Sequence, residues 1–191
     1  MAEVRPRIAE LLSFIDDARA RLLETATQIN PSFAAISPRD GAWSAAETLS
    51  HLAKVEEGVS WMVERSVQWA RTNGIGPDPS DESLLGRLDS FTITDSPKKR
   101  IAPETVAPEG NVPIEQSLAS LEASRRRLTE ALIAGSDLDL SVVKRPHQAV
   151  GELDMYQWTL FVALHEERHR RQIERTVAEV TERAAECAPI V

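Results

Sequence analysis

Three of the four histidines in this chain stand where two helices could bring them together. His165 and His169 are four residues apart, and His51 lies far upstream behind a helix-start signal. Residues i and i+4 lie one above the other on the same face of a helix. The pair could therefore hold one ion, and His51 could complete the set from a facing helix. Since imidazole nitrogens bind zinc, nickel, iron and copper, the sequence predicts a divalent-metal site at His51, His165 and His169.

The phase of the last helical segment supports a buried position for the histidine pair. The pair falls within a stripe that repeats every fourth residue: Phe161, His165, His169, Ile173 and Val177. A buried imidazole needs a partner for both ring nitrogens, and a metal together with a carbonyl or carboxylate would supply them. The charged neighbours are expected to fill the solvent face: Glu166, Glu167, Arg168, Arg170 and Arg171. The alternative is that the histidines are hydrogen-bonded or hydrated polar residues at one end of a bundle.

The acidic and amide residues near these histidines suggest further roles. The string from His165 to His169 matches His-Glu-x-x-His, in which Glu166 would be the general base of a zinc protease. Glu47 and Gln172 lie about one turn from His51 and His169, where either could orient a ligand or contact substrate. Glu47 is our candidate catalytic residue, although its spacing from Ser44 favours a capping box.

Four segments with helical periodicity position these residues, at about 6–30, 44–73, 113–134 and 154–185. The fourth begins with a second capping-box spacing, Asp154 to Gln157. Between 73 and 113 prolines break the pattern, and only 84–91 could form a short helix. No strand pair is predicted, and 136–151 is expected to be a short connection. The prediction is an all-α, four-helix bundle with a long crossover loop between helices 2 and 3, in a single domain spanning 1–191.

Composition limits the classes of function. The 191-residue chain has a formal net charge of -8, which disfavours nucleic-acid binding. The basic clusters at 98–100 and 125–127 are expected to be solvated. One cysteine, Cys187, allows no internal disulfide, and no apolar run reaches the length of a membrane span, so we expect a cytoplasmic protein. The tryptophans are expected to be core or interface residues, although one could line a pocket: Trp43, Trp61, Trp69 and Trp158.

Three motifs together resemble the DinB-like superfamily of metalloenzymes. They are Trp43-Ser44-x-x-Glu47-x-x-x-His51-Leu52, Gly151-Glu152-Leu153-x-x-x-Gln157-Trp158 and His165-x-x-Arg168-His169-x-x-Gln172-Ile173. The segment 145–151 is similar to the family's His-Pro-x-x-Gly segment, except that Gln148 stands where proline is expected. The resemblance implies a four-helix bundle, often a homodimer, whose divalent metal is held by the residues at positions 51, 165 and 169. It sets the protease interpretation aside, and His147 becomes a turn, supporting or exposed residue.

The resemblance also implies a type of chemistry. Characterised relatives use a low-molecular-weight thiol (bacillithiol, mycothiol or glutathione) in S-transfer or isomerisation, and others are described as metal-dependent hydrolases. We therefore expect a thiol S-transferase that uses zinc or nickel and a small-molecule substrate. The alternatives are a metal-dependent hydrolase and a non-enzymatic metal-binding stress or interaction protein. Because Cys187 lies in the C-terminal tail, the thiol would come from outside the protein.

Overall fold

Four helices form the bundle that the sequence predicts. The computed structural model describes residues 4–94, 101–108, 110 and 112–186. Within these residues the helices are α1 (Pro6–Thr27), α2 (Ala45–Thr72), α3 (Ile114–Ala134) and α4 (Met155–Glu186). The most extensive packing is α2 against α3 and α1 against α4, and α2 also contacts α4. The basic cluster at 98–100 and Cys187 lie outside the described residues.

Two capping boxes fix where the histidine-bearing helices begin. At α2, the Ser44 hydroxyl accepts the Glu47 N–H at 3.1 Å, and the Glu47 carboxylate accepts the Ser44 N–H at 2.8 Å. At α4, the side chains of Asp154 and Gln157 accept each other's backbone N–H at 2.9 and 3.1 Å. Each box satisfies donors that a helix N-terminus leaves unpaired. His51 therefore falls in the second turn of α2.

A β-hairpin precedes α4, so the prediction of no strand pair was wrong. Strands β1 (Lys144–His147) and β2 (Gly151–Asp154) pair antiparallel over four residues each. Most of their side chains are exposed or half-buried, and the sequence consequently lacks the apolar alternation that identifies a strand. Backbone pairing holds the hairpin together instead. Gly151 has φ +84°, a conformation that glycine adopts without strain.

The long crossover between α2 and α3 is confirmed, and it packs on the bundle at several points. Leu84 and Leu88 are fully buried in the core. The short helix expected over 84–91 is reduced to turns and one 3₁₀ turn, Asp89–Phe91. A second 3₁₀ turn, Glu104–Val106, contacts α2 near His51. The crossover thus reaches the candidate site.

The buried apolar side chains form two clusters along the bundle. The larger includes Leu11, Ile15, Leu128 and Leu160, and the smaller includes Leu22, Leu49, Leu121 and Ile173. Trp61 and Trp69 are 45% and 46% exposed, so they are not core residues. Among the described helices, none combines the length and apolarity that crossing a bilayer requires.

Candidate metal centre

The three predicted histidines meet between α2 and α4. The Nε2 atom of His165 lies 3.4 Å from Nε2 of His51 and 3.1 Å from Nε2 of His169. One ligand atom from each ring lies within 4.8 Å of the other two. His51 and His169 are buried, and His165 is half-buried. The structure therefore brings together the three histidines proposed from the sequence, and they could form a metal site.

The outer nitrogens of two of these rings are held by carbonyl oxygens. His51 Nδ1–H donates to the backbone oxygen of Val106 at 2.7 Å, and His169 Nδ1–H donates to the side-chain oxygen of Gln172 at 2.9 Å. Because a carbonyl oxygen can only accept, each bond places the proton on Nδ1. The Nε2 lone pairs of both rings then face His165. Orienting partners of this kind are typical of histidine ligands.

The donor set fits a divalent ion. His165 Nε2 can carry one proton and so can satisfy at most one of its two neighbours, whereas a cation would satisfy three converging lone pairs. Two imidazole nitrogens about 2.0–2.1 Å from one ion, at angles between a right angle and tetrahedral, lie about 2.8–3.4 Å apart. The Nε2 separations of 3.1 and 3.4 Å fall within that range. The ligands do not select one metal among the first-row ions that accept imidazole.

Desolvation favours the neutral form of all three rings, which is the form that binds a metal. It lowers the pKa of His51, against the opposing effect of the Val106 carbonyl. It lowers the pKa of His169 to about 3, helped by the proximity of His51. The pKa of His165 lies well below its ordinary value because the ring is desolvated and faces the two other imidazoles. Protons therefore compete only weakly with a metal ion for these nitrogens near neutral pH.

Aromatic rings flank the histidines on two sides. The Trp43 ring centroid lies 4.9 Å from that of His51 and 6.3 Å from that of His169. Phe161 stacks on His165 at 5.1 Å. Trp43 thus lines the site, which is the role that the sequence analysis allowed for one tryptophan. The aromatic faces make the walls of the site apolar.

His147 lies outside the cluster of three nitrogens, at the end of β1 where the hairpin turn begins. Its Nδ1 accepts the N–H of Ala149 at 3.1 Å, and its ring lies 4.5 Å from that of Phe161. Since Phe161 stacks on His165, His147 reaches the site through an intermediate ring. A position beside the turn was one of those expected for it.

Glu166 does not face the histidines or the solvent. It is 2% exposed, and its carboxylate accepts hydrogen bonds from Arg19 and Arg125. The prediction that it fills the solvent face was wrong. The prediction that the 125–127 cluster is solvated was wrong for Arg125, which is 8% exposed, whereas Arg126 is exposed as expected. A fully buried charge requires a partner, and these partners come from other helices. The carboxylate is consequently engaged away from the position that a His-Glu-x-x-His protease needs.

The other acidic residues near the site are also engaged. Glu47 closes the capping box of α2, so its catalytic role stays a prediction. Glu167 accepts hydrogen bonds from Arg170 and Arg171 at 2.8 and 2.9 Å. Those bonds hold the pKa of the Glu167 carboxyl at about 2.

Backbone carbonyls of the crossover complete the surroundings. Besides the Val106 oxygen on His51, the Ala107 oxygen accepts from Lys54 at 2.9 Å. Arg168, which lies between the two ligand positions of α4, donates to the Ile93 oxygen at 3.2 Å. Sequence reasoning missed these contacts because every residue has a backbone carbonyl, and only the fold reveals which one reaches the site.

Comparison with known proteins agrees with this fold. The sequence profile of the DinB superfamily matches residues 15–173, which contain all three histidines. The uncharacterized protein YuaE of Bacillus subtilis (strain 168) is 29% identical over 148 residues, 77% of this chain and 84% of YuaE. The crystal structure of TT2238, a four-helix bundle protein, superposes with a TM-score of 0.57 at 21% identity, covering 88% of this chain and 98% of that one. The profile match covers most of the chain, and the chain therefore belongs to the DinB superfamily.

Proposed function

We propose that the protein is a divalent-metal-dependent enzyme that transfers a low-molecular-weight thiol to a small electrophilic substrate. The observation that supports this most directly is the convergence of three neutral imidazoles, His51, His165 and His169. Three protein ligands leave coordination positions for an outside ligand, as in catalytic rather than structural zinc sites. A zinc or nickel ion bound there would favour the thiolate form of a small thiol.

Because the nearby carboxylates are engaged in other contacts, we favour thiol transfer over hydrolysis. Hydrolysis at a metal is assisted by a general base within hydrogen-bond reach of the attacking water. Here Glu47 serves a helix cap, Glu166 is bound by two arginines and Glu167 by two others. A thiol has an ordinary pKa of about 8.5 and needs stabilisation of its anion more than a separate base. A hydrolase is therefore the weaker candidate.

The residues of the chain would support the transfer by excluding water. Trp43 and Phe161 present ring faces beside the histidines, and an apolar wall weakens the hydration of a bound sulfur anion. In the transfer, sulfur forms a bond to the electrophilic carbon and the leaving group departs with its electron pair. The proton of the thiol passes to solvent.

The test is a transfer assay on metal-loaded protein. Bacillithiol, mycothiol and glutathione would each be offered with an activated aryl chloride, and the thioether and released chloride would be measured. We expect transfer with at least one thiol, and loss of transfer when the metal is removed or when all three histidines are replaced with alanine.

Three outcomes would contradict the proposal. They are turnover that persists without metal, turnover that persists without thiol, and absence of transfer with all three thiols. Ester hydrolysis by the metal-loaded protein in the absence of any thiol would favour the hydrolase instead. The triple alanine variant serves as the control for the uncatalysed reaction of the thiol with the aryl chloride.

A further inference from the structure

Four charged side chains, one from each helix, meet in the interior of the bundle. They are Arg19 of α1, Glu56 of α2, Arg125 of α3 and Glu166 of α4, with relative exposures of 7%, 1%, 8% and 2%. We call this set the charge quartet. Its two acids and two bases carry no net charge together, which is the condition under which buried ions are tolerated.

Each arginine of the quartet bridges both carboxylates. Arg19 donates to Glu166 through Nε at 2.9 Å and Nη2 at 2.5 Å, and its Nη2 also contacts Glu56. Arg125 donates to Glu56 through Nε at 2.7 Å and to Glu166 through Nη2 at 3.2 Å. The carboxylates belong to α2 and α4, which carry the histidines, and the arginines belong to α1 and α3. The arginines thus connect the two ligand-bearing helices.

The remaining donors of the arginines anchor them to the backbone. Arg19 Nη1 donates to the Leu121 oxygen at 2.7 Å, and Arg125 Nη1 donates to the Ile15 oxygen at 2.5 Å. Each arginine therefore contacts the other three helices through fixed hydrogen bonds. The position of each guanidinium is set by the whole bundle.

The quartet lies between the two apolar clusters of the core. On every helix its member falls, along the chain, between residues of the larger and smaller cluster; α1, for example, places Arg19 between Ala18 and Leu22. An apolar core tolerates small slips because its contacts are not directional. A slip within this layer would leave a buried charge unpaired, which is strongly unfavourable. The layer therefore favours one axial register.

Metal binding is far more sensitive to register than folding is. Glu166 directly follows His165, and Glu56 lies five residues after His51. Sliding one helix by a single residue moves its side chains by about 1.5 Å. A metal site tolerates deviations of only about 0.2 Å in its ligand distances.

We propose that the charge quartet is a positioning device for the three-histidine site. It holds α2 and α4 in the register that brings His51 within reach of His165 and His169. This inference rests on the proposed metal binding. Its residues act through the helices and do not touch the ion.

The first test variant replaces Arg19 and Arg125 together with lysine. Lysine keeps the positive charges, but its ammonium group cannot present a planar fork to two carboxylates. The matched control is Arg7→Lys, because Arg7 pairs with Asp78 and Ser80 and does not join α2 to α4. Circular dichroism and thermal melting report folding, and titration with Co²⁺ alone reports affinity and, through its visible spectrum, coordination geometry.

We expect the double variant to fold and to bind Co²⁺ at least about tenfold more weakly, because the ligand nitrogens lose the spacing that the ion requires. Its visible spectrum should change, whereas the Arg7→Lys control should match the wild type in both readouts. Wild-type affinity and spectrum in the folded double variant would overturn the proposal.

A second variant covers failure of the first to fold. It replaces the whole quartet with apolar residues, Arg19→Met, Glu56→Leu, Arg125→Met and Glu166→Leu, so that no buried charge is unpaired. We expect it to fold and to bind Co²⁺ more weakly, and wild-type affinity here would also overturn the proposal. If neither variant folds, the quartet is a folding element and the positioning role is wrong. If wild type binds no Co²⁺, the proposed metal binding fails first.

Discussion

Replacing Gln172 with leucine should weaken metal binding at the three histidines by about 10- to 100-fold. The side-chain oxygen of Gln172 accepts the Nδ1–H of His169 at 2.9 Å. That bond holds the ring so that its Nε2 lone pair faces the other histidines. Leucine has a similar size but no acceptor, so the ring loses its orientation and its preferred tautomer.

The magnitude follows from the burial of the ring. His169 is 7% exposed, so water cannot readily replace the lost acceptor. An unsatisfied buried donor costs about 1–3 kcal/mol. Since each 1.4 kcal/mol corresponds to a factor of ten in affinity, that cost agrees with the expected range.

The assay is competition for zinc between the protein and a chromophoric chelator of known affinity. Gln172→Glu is the matched control, because a carboxylate can only accept and therefore keeps the proton on His169 Nδ1. We expect affinity close to wild type, or higher, in this control. A folded Gln172→Leu variant with affinity within about twofold of wild type would refute the reasoning.

Three further predictions concern other parts of the structure. Ser44→Ala should lower the free energy of unfolding by about 1 kcal/mol in a denaturant melt, because it removes the α2 cap, while metal content stays unchanged. Metal binding should slow hydrogen exchange over residues 104–107, because a ligated His51 donates more strongly to the Val106 oxygen; equal exchange with and without metal would contradict this. Burial raises the pKa of Asp154, with Gln157 and Arg87 opposing it, so its contribution favours folding below the unfolded pKa and is lost as pH rises through the folded pKa. Asp154→Asn should remove this loss of stability as pH rises above the ordinary carboxyl range, measured as the free energy of unfolding against pH, and the same pH dependence in variant and wild type would contradict it.

The two candidate ligands on α4 were predictable because their signal is local. The spacing of His165 and His169 places both on one helical face, and the capping boxes at Ser44 and Asp154 fix where the helices begin. Assigning His51 as the third ligand depended on family resemblance. The periodicity of α2 indicates that His51 is buried, but nothing in the local sequence indicates which other helix His51 faces.

The charge quartet and the hairpin were not predictable from local patterns. Glu166 and Arg125 stand among other charged residues, and polarity alone assigns such residues to the surface. Their burial depends on partners more than 40 residues away in sequence. The hairpin strands carry few buried side chains, and backbone pairing leaves no pattern in the sequence.

Metal analysis of the purified protein tests the central claim most directly. Wild-type protein, the His51→Ala, His165→Ala, His169→Ala triple variant and a His147→Ala control would be measured by elemental mass spectrometry after dialysis. We predict about one divalent ion per chain in wild type and control, and essentially none in the triple variant, because three imidazoles supply the protein ligands of one site. Equal metal content in the wild type and a folded triple variant would contradict the account.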